Sequence, residues 1–343
     1  MQVIDYKCEN CGSSMIFDSS TGMLSCHSCG KKDNIDHIPN LLGEPGVPGG
    51  QGQEYHCNSC GAVIPADEMT TAAVCGFCGA SAILADRLSG ELSPVKVLPF
   101  AISKEEAMKA FRKWCRNGRL TPTGFMTADR IKSITGLYVP FWLYELNNHI
   151  EVHAHATKVR SYVQGDYHYT ETQHFDVYRR IKLNYTRVPL DASEKMSDKL
   201  MDKLEPFPYN QLKDFKKPYL AGYNADKYSY DEQELFPRVK EKIRPFIESY
   251  IQSAVAGYSS VSYTNKQIDT SLTRADYALL PVWVVHYDFN KLEHSFAMNG
   301  QTGKVVGKPP LSFAKITAWF AGISGAALLS LKLVSLMMGG GFW

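Results

Sequence analysis

Eight of the nine cysteines fall into two quartets, Cys8, Cys11, Cys26, Cys29 and Cys57, Cys60, Cys75, Cys78. Each quartet reads C-x2-C-x14-C-x2-C, and the second repeats the first 49 residues later. A glycine follows the second cysteine of every pair: CENCG, CHSCG, CNSCG and CGFCG. Such a glycine supplies the left-handed turn that wraps backbone around a metal-bound sulfur. Two such knuckles bring four thiolates to one ion at about 2.3 Å, so each quartet predicts a structural zinc site, with rubredoxin-like iron as the alternative. Four sulfurs leave no open coordination position, so two zinc ions would fold these segments rather than catalyse. His27, His37 and His56 lie close in sequence but are surplus to complete ligand sets, and are expected at the surface.

Three other places invite a chemical reading. In NHIEVHAHA, His149, Glu151, His153 and His155 share one face of a strand. They offer metal ligands, but residues two apart on a strand lie about 7 Å apart, so a solvated polar face is expected. The segment NGQTGKVVG (299–307) has Met298 and Val305 where a phosphate-binding P-loop requires Gly and Ser or Thr. Cys115 sits on the apolar face of a helix and reads as a buried thiol. No nucleophile elbow, HExxH or dinucleotide-binding glycine pattern is present. No enzymatic activity is expected.

The elements that must carry these residues follow from patterning. Residues 1–91 hold four basic and eleven acidic residues, about −7, while the remainder holds 33 basic and 24 acidic, about +9. An acidic cysteine-rich region is poorly suited to phosphate backbones and better suited to a basic protein surface. The stretch MQVIDYKCEN holds no apolar run, and no secretory signal is expected. The boundaries expected are zinc ribbon 1 at 1–40, a flexible Gly/Pro linker at 41–53 that lets the ribbons move, and zinc ribbon 2 at 54–91. An α+β domain follows at 92–311. Within it, Ser103 and Glu106 form a capping box opening a helix with Ala107, Phe111, Trp114 and Cys115 on its inner face. Further helices are expected at 194–204 and at 231–256, the latter interrupted by Pro237 and Pro245. Residues 137–156 and 278–300 each carry Pro-x-Trp (Pro140/Trp142, Pro281/Trp283) and alternation broken by an asparagine near a turn. They predict two related hairpin units, a duplication, with a third strand pair over 159–187.

Residues 312–343 are expected to form one transmembrane helix and a short tail. The run 316–338, apolar apart from small hydroxyls and Lys332, spans roughly 35 Å, enough for a hydrocarbon core of about 30 Å. Lys332 is placed to snorkel. Ala318, Gly322, Ala326 and Ser330 recur every four residues, as in a contact with another transmembrane helix and as ordinary span composition also produces. Lys308 and Lys315 precede the span, which predicts a single-pass protein of the cytoplasmic membrane with its N-terminal bulk in the cytoplasm.

Taken together, the ribbons, the PFW strand, YLAGY (219–223), FAMNGQTGKVVG and the terminal span resemble bacterial TFIIB-type double-zinc-ribbon membrane proteins. These sometimes carry a primosomal-helicase-like label and are encoded beside phage-shock-protein-A homologues and SPFH-domain proteins. The specific motifs cover 137–307. The helicase label finds only cysteine knuckles here and no nucleotide-binding motif. The resemblance implies a non-enzymatic membrane-anchored adaptor that recruits SPFH or phage-shock-type partners in a membrane stress response, with no catalytic residues to carry over. The alternative from another class is a membrane-tethered nucleic-acid-binding regulator.

Overall fold

A computed structural model describes residues 3–38, 54–116, 118, 120–122, 125, 131–289 and 292–337. Its strands are β1 (Val3–Ile4), β2 (Ile16–Asp18), β3 (Met23–Ser25), β4 (Lys32–Asp33), β5 (Tyr55–His56), β6 (Val63–Ile64), β7 (Thr70–Val74), β8 (Ser81–Leu84) and β9 (Lys96–Val97). Helix α1 (Lys104–Arg116) precedes two very long strands, β10 (Ile131–Gln164) and β11 (Tyr167–Asp191). Then come α2 (Asp198–Leu204), β12 (Lys213–Asp214), β13 (Asn224–Asp226), α3 (Phe236–Ala254), β14 (Ser260–Phe289), β15 (Leu292–Asn299), β16 (Val305–Val306) and α4 (Phe313–Met337).

One sheet runs β1-β8-β7-β13-β10-β14-β15-β16, with β11 on β10 and β9 joining β14 to β12. The two Pro-x-Trp stretches, expected as separate hairpin units, pair antiparallel with each other at its centre: Tyr138 faces Pro281 and Pro140 faces Leu279. Each then turns into its own hairpin, β10–β11 and β14–β15. The expected pair over 159–187 is the outer part of the first hairpin. Around the Val139–Leu280 pair the two halves obey a pseudo-two-fold axis. β13 enters parallel beside Leu137 and Tyr138 of β10, and β9 enters parallel beside Ala278 and Leu279 of β14. These parallel pairings make the sheet mixed, so the body is an α/β domain with mixed pairing, within which the expected hairpin-type strand pairs are present.

The symmetry extends to single hydrogen bonds. Trp142 Nε1 donates to the Tyr230 carbonyl at 3.0 Å, and Trp283 Nε1 to that of Ile102 at 3.1 Å. The Ala192 N–H donates to Pro140 O at 3.0 Å, and the Gly300 N–H to Pro281 O at 2.9 Å. Ser103 and Glu106 form the expected box ahead of α1, and Asp231 and Glu234 form the same box ahead of α3. A duplicated β-α-β-β unit accounts for all of these, each copy lending its short strand to the other's long one.

Helices α1 and α3 cover one face of the sheet, burying Ala107, Phe111 and Cys115 and then Val239, Ile243, Ile247 and Ile251. Burial pushes the Cys115 thiol up to about 12, as fits an inert core residue. Helix α2 covers the other face with Met201 and Leu204 against Val139, Phe141 and Val282. Neither proline interrupts α3. Pro237 occupies its first turn, where no donor is needed, and Pro245 lies on the solvent side, where water can take the freed carbonyl. Asn147 and Asn148 mark no turn either. The buried Asn148 side chain donates to Leu183 O at 3.1 Å and accepts from Thr270 Oγ1 at 2.7 Å, tying three strands together. Asn290, in the second stretch, lies outside the described residues.

Candidate metal centres

Both quartets close. The Sγ atoms of Cys8, Cys11, Cys26 and Cys29 lie within 4.8 Å of one another, as do those of Cys57, Cys60, Cys75 and Cys78. The shortest edges are 3.4 Å (Cys8–Cys29), 3.5 Å (Cys11–Cys26), 3.6 Å (Cys57–Cys78) and 3.7 Å (Cys60–Cys75). A tetrahedron of thiolates about 2.3 Å from zinc has edges of about 3.8 Å, so each cage has the size for one such ion.

The backbone builds the four corners by one rule. The first cysteine of each pair accepts from the glycine after the second: Gly12 N–H to Cys8 O, Gly30 to Cys26, Gly61 to Cys57 and Gly79 to Cys75, at 2.8–2.9 Å. The same cysteine donates onward, as Cys8 to Ser13 O and Cys75 to Ala80 O. Closing the loop requires the glycine at φ of 71°, 76°, 74° and 74°, where a Cβ would be strained. The first cysteine of each pair is buried and the second exposed. Backbone and side-chain donors at Ser13 draw the Cys11 thiol down to about 6, and the N–H groups of Cys78 and Phe77 do the same for Cys75. These donors favour the thiolate form that ligates metal. At Cys29 and Cys78 the N–H groups of Lys31 and Ala80 are outweighed by the neighbouring thiols, which push both up to about 12. His27, His37 and His56 are exposed and join neither cage.

The cages are not carried on free modules. In the first, the β2-β3-β4 sheet packs Met15, Phe17, Leu24 and Ile35 into the main core, and the Phe17 N–H donates to Ala221 O at 2.9 Å. In the second, β7 pairs with β13 and so continues the central sheet. The modules also join each other: β1 pairs with β8, Asn58 Nδ2 donates to Val3 O at 2.7 Å, and Ser59 Oγ to Asp5 Oδ2 at 3.1 Å. Relative movement of the two, expected from the Gly/Pro linker, is replaced by docking on one sheet. The linker itself lies outside the described residues.

The histidine strand behaves as a polar face. His149, His153 and His155 are exposed, His155 pairs with Asp176 at 2.5 Å, and Glu151 pairs with Arg180 at 2.9 Å. No metal-sized group other than the two cysteine cages occurs among the described residues.

The chain is 59% identical over 340 residues to the uncharacterized protein YdjG of Bacillus subtilis (strain 168), covering 99% of this chain and 100% of that one. It belongs to the YdjG family. No family model and no solved structure matches it. In this member of the YdjG family, helix α4 is also long and apolar enough to cross a membrane, and none of its most apolar window is buried in the body. At its start, the Ser312 N–H donates to Leu120 O at 2.8 Å and Lys315 Nζ to Thr121 O at 2.7 Å. Sequence reading missed Phe77, an 82% exposed aromatic in the CGFCG knuckle. Its place between two ligands was the available signal.

Proposed function

We propose that this chain is a membrane-anchored, non-enzymatic adaptor of the double-zinc-ribbon type, held in the cytoplasmic membrane by α4 with its bulk in the cytoplasm. Each cysteine cage holds one zinc ion that shapes a recognition module, and the modules recruit SPFH-domain or phage-shock-type proteins during membrane stress. The observation that carries the reading is the joining of two closed four-sulfur cages to a 25-residue apolar helix with no buried residue. Closed cages offer no coordination site for chemistry, and an unburied helix of this kind needs lipid. Charge supports protein rather than nucleic acid as the occupant. Lys7 is paired with Asp5 and Lys31 with Glu9, while Arg87 donates to the Asp67 and Thr70 carbonyls, so three of the four basic groups of this region are already engaged.

The test is gentle solubilisation of the full-length protein and identification of what co-purifies at moderate salt. An SPFH or phage-shock-type protein is expected, and it is lost when Cys8, Cys11, Cys57 and Cys60 are replaced by serine. Retention of that partner after both cages are destroyed would remove the modules as its docking surface. Recovery of nucleic acid or polymerase subunits would overturn the adaptor reading.

A further inference from the structure

The pseudo-symmetric core has one asymmetric addition. Beyond Pro281 the second hairpin reverses at Phe289, whereas beyond the equivalent Pro140 the first runs on to Gln164. The N-terminal part of β14 and the longer α3 accompany this extension, forming a three-stranded arm whose last stretch, residues 158–174, is exposed throughout.

The arm's two edges differ. Along β14 the pairing is broken by irregularities at Glu145/Leu146 and His153/Ala154, the kind of interruption that discourages addition of another strand. Along β11 the register runs unbroken from Leu146–Tyr185 to Gln164–Tyr167. The two-residue turn between Gln164 and Tyr167 makes that a hydrogen-bonded pair, so odd-numbered residues of β11 bond inward. Even-numbered residues from His168 to Lys182 therefore turn their N–H and C=O groups to the open edge. Of these, the Tyr178 carbonyl already accepts from Arg179 Nη1.

An apolar shelf borders this edge. Glu248 turns toward β14, where it meets Lys266 at 2.7 Å, so at 100° per residue Phe246 and Tyr250 project from the opposite side of α3, over β11. They are 64% and 48% exposed. Arg179 Nε binds Ala254 O at 3.1 Å and sets the height. Tyr250 and Phe246 lie about 6 and 12 Å back along the helix, level with Ile181 and Leu183, about 7 and 14 Å along the strand. At the tip, Tyr167 and Tyr169 of β11 are 71% and 44% exposed, with Tyr169 stacked at 5.4 Å on Tyr162 of β10, itself 41% exposed.

We propose that the β11 edge is a self-association surface, to which β11 of a second copy adds antiparallel about a two-fold axis at Phe175. In this register Glu171 of each copy faces Arg179 of the other, and His174 faces Asp176. Tyr169 and Tyr167 face Ile181 and Leu183 and settle against Tyr250 and Phe246. Shifting the axis one or two residues either way leaves neither of these pairs facing. Main-chain bonds supply affinity, and the side chains fix the register. With both spans in one bilayer the axis runs along the membrane normal, and the paired arms lie along the membrane surface.

The test uses the full-length protein in detergent. Light scattering should give twice 38.4 kDa for the protein component, falling to 38.4 kDa on Y167S/Y169S, since among the described residues the ring contacts of these side chains are to Tyr162 and to each other within one copy. F175C at the axis should form a disulfide-linked dimer with copper phenanthroline, against the parent chain as control. E171R should abolish that crosslink, and E171R/R179E should restore it. A monomer at all concentrations overturns the proposal. A dimer that ignores the tyrosine changes and does not crosslink through F175C also overturns it, placing association elsewhere.

Discussion

Lys195 binds the second cysteine module to the sheet by charge, and its partners titrate in opposite senses. Its ammonium lies 2.7 Å from Asp67, in that module, and 3.0 Å from Asp226, on β13. Partial burial pushes the Asp67 carboxyl up, but Lys195, the Thr70 hydroxyl and the Met69 N–H outweigh it and hold the group at about 2. Asp67 therefore stabilises the fold fully above its ordinary value near 4, and that contribution is lost as pH falls toward 2. Burial dominates at Asp226 and keeps its carboxyl above the ordinary range despite Lys195, so its own contribution is greatest on the acid side. Lys195→Met removes the shared partner. At pH 7 it should cost about 1–2 kcal/mol, a figure held down by the exposure of Asp67. The deficit should begin to shrink above pH 4, as Asp226 protonates in the variant, and shrink further toward pH 2 as Asp67 follows. Urea unfolding of variant and parent across that range measures it, and a pH-independent difference would show that Lys195 acts through packing. This brace was not legible in the sequence, because residues 67, 195 and 226 meet only through the sheet. The cysteine cages were legible, because their ligands and glycines are local.

Among the elements, the capping boxes and the long strands mark the two extremes of what sequence shows. Ser103-x-x-Glu106 announces α1 within four residues, and Asp231-x-x-Glu234 does the same for α3. The Ser103 side chain, just before α1, accepts from Glu106 N–H at 3.2 Å, and the Asp231 side chain, in the turn leading into α3, accepts from Glu234 N–H at 2.7 Å. Ser103→Ala and Asp231→Ala should each cost about 1 kcal/mol, read as a lower urea midpoint at unchanged slope. A change confined to one variant would break the functional equivalence of the two halves. Strand length is different, because it depends on partners far away in the chain. Asn147 and Asn148 resemble turn residues locally, yet Asn148 is held in a strand by Leu183 and Thr270. Likewise α3 keeps its helix through Pro245 because Ile243, Ile247 and Ile251 bury on the sheet.

For the whole molecule, the path from the apolar helix α4 to the cages runs through continuous β-structure. From α4 the chain leads back through β16 and β15 to β14 and β10, and β13 then passes the sheet to β7, β8 and β1. The glycine- and proline-rich segment between the quartets suggested independent modules. The decisive contacts, Ala72–Ala225 and Val3–Leu84, join backbones with no distinctive side-chain signature. Such continuity makes metal removal a local event with a defined reach. Cys57→Ser/Cys60→Ser should lower the zinc content from two ions to one per chain and release the sheet beyond β13. Amide exchange should then speed up in β8, β7 and β1, while the amides of Ile150 and Val152, buried under α3 in the arm, keep their protection. Loss of protection in the arm as well would mean that the module is part of the foundation of the sheet. The body of the sheet and the second cysteine module would then fold as one cooperative unit.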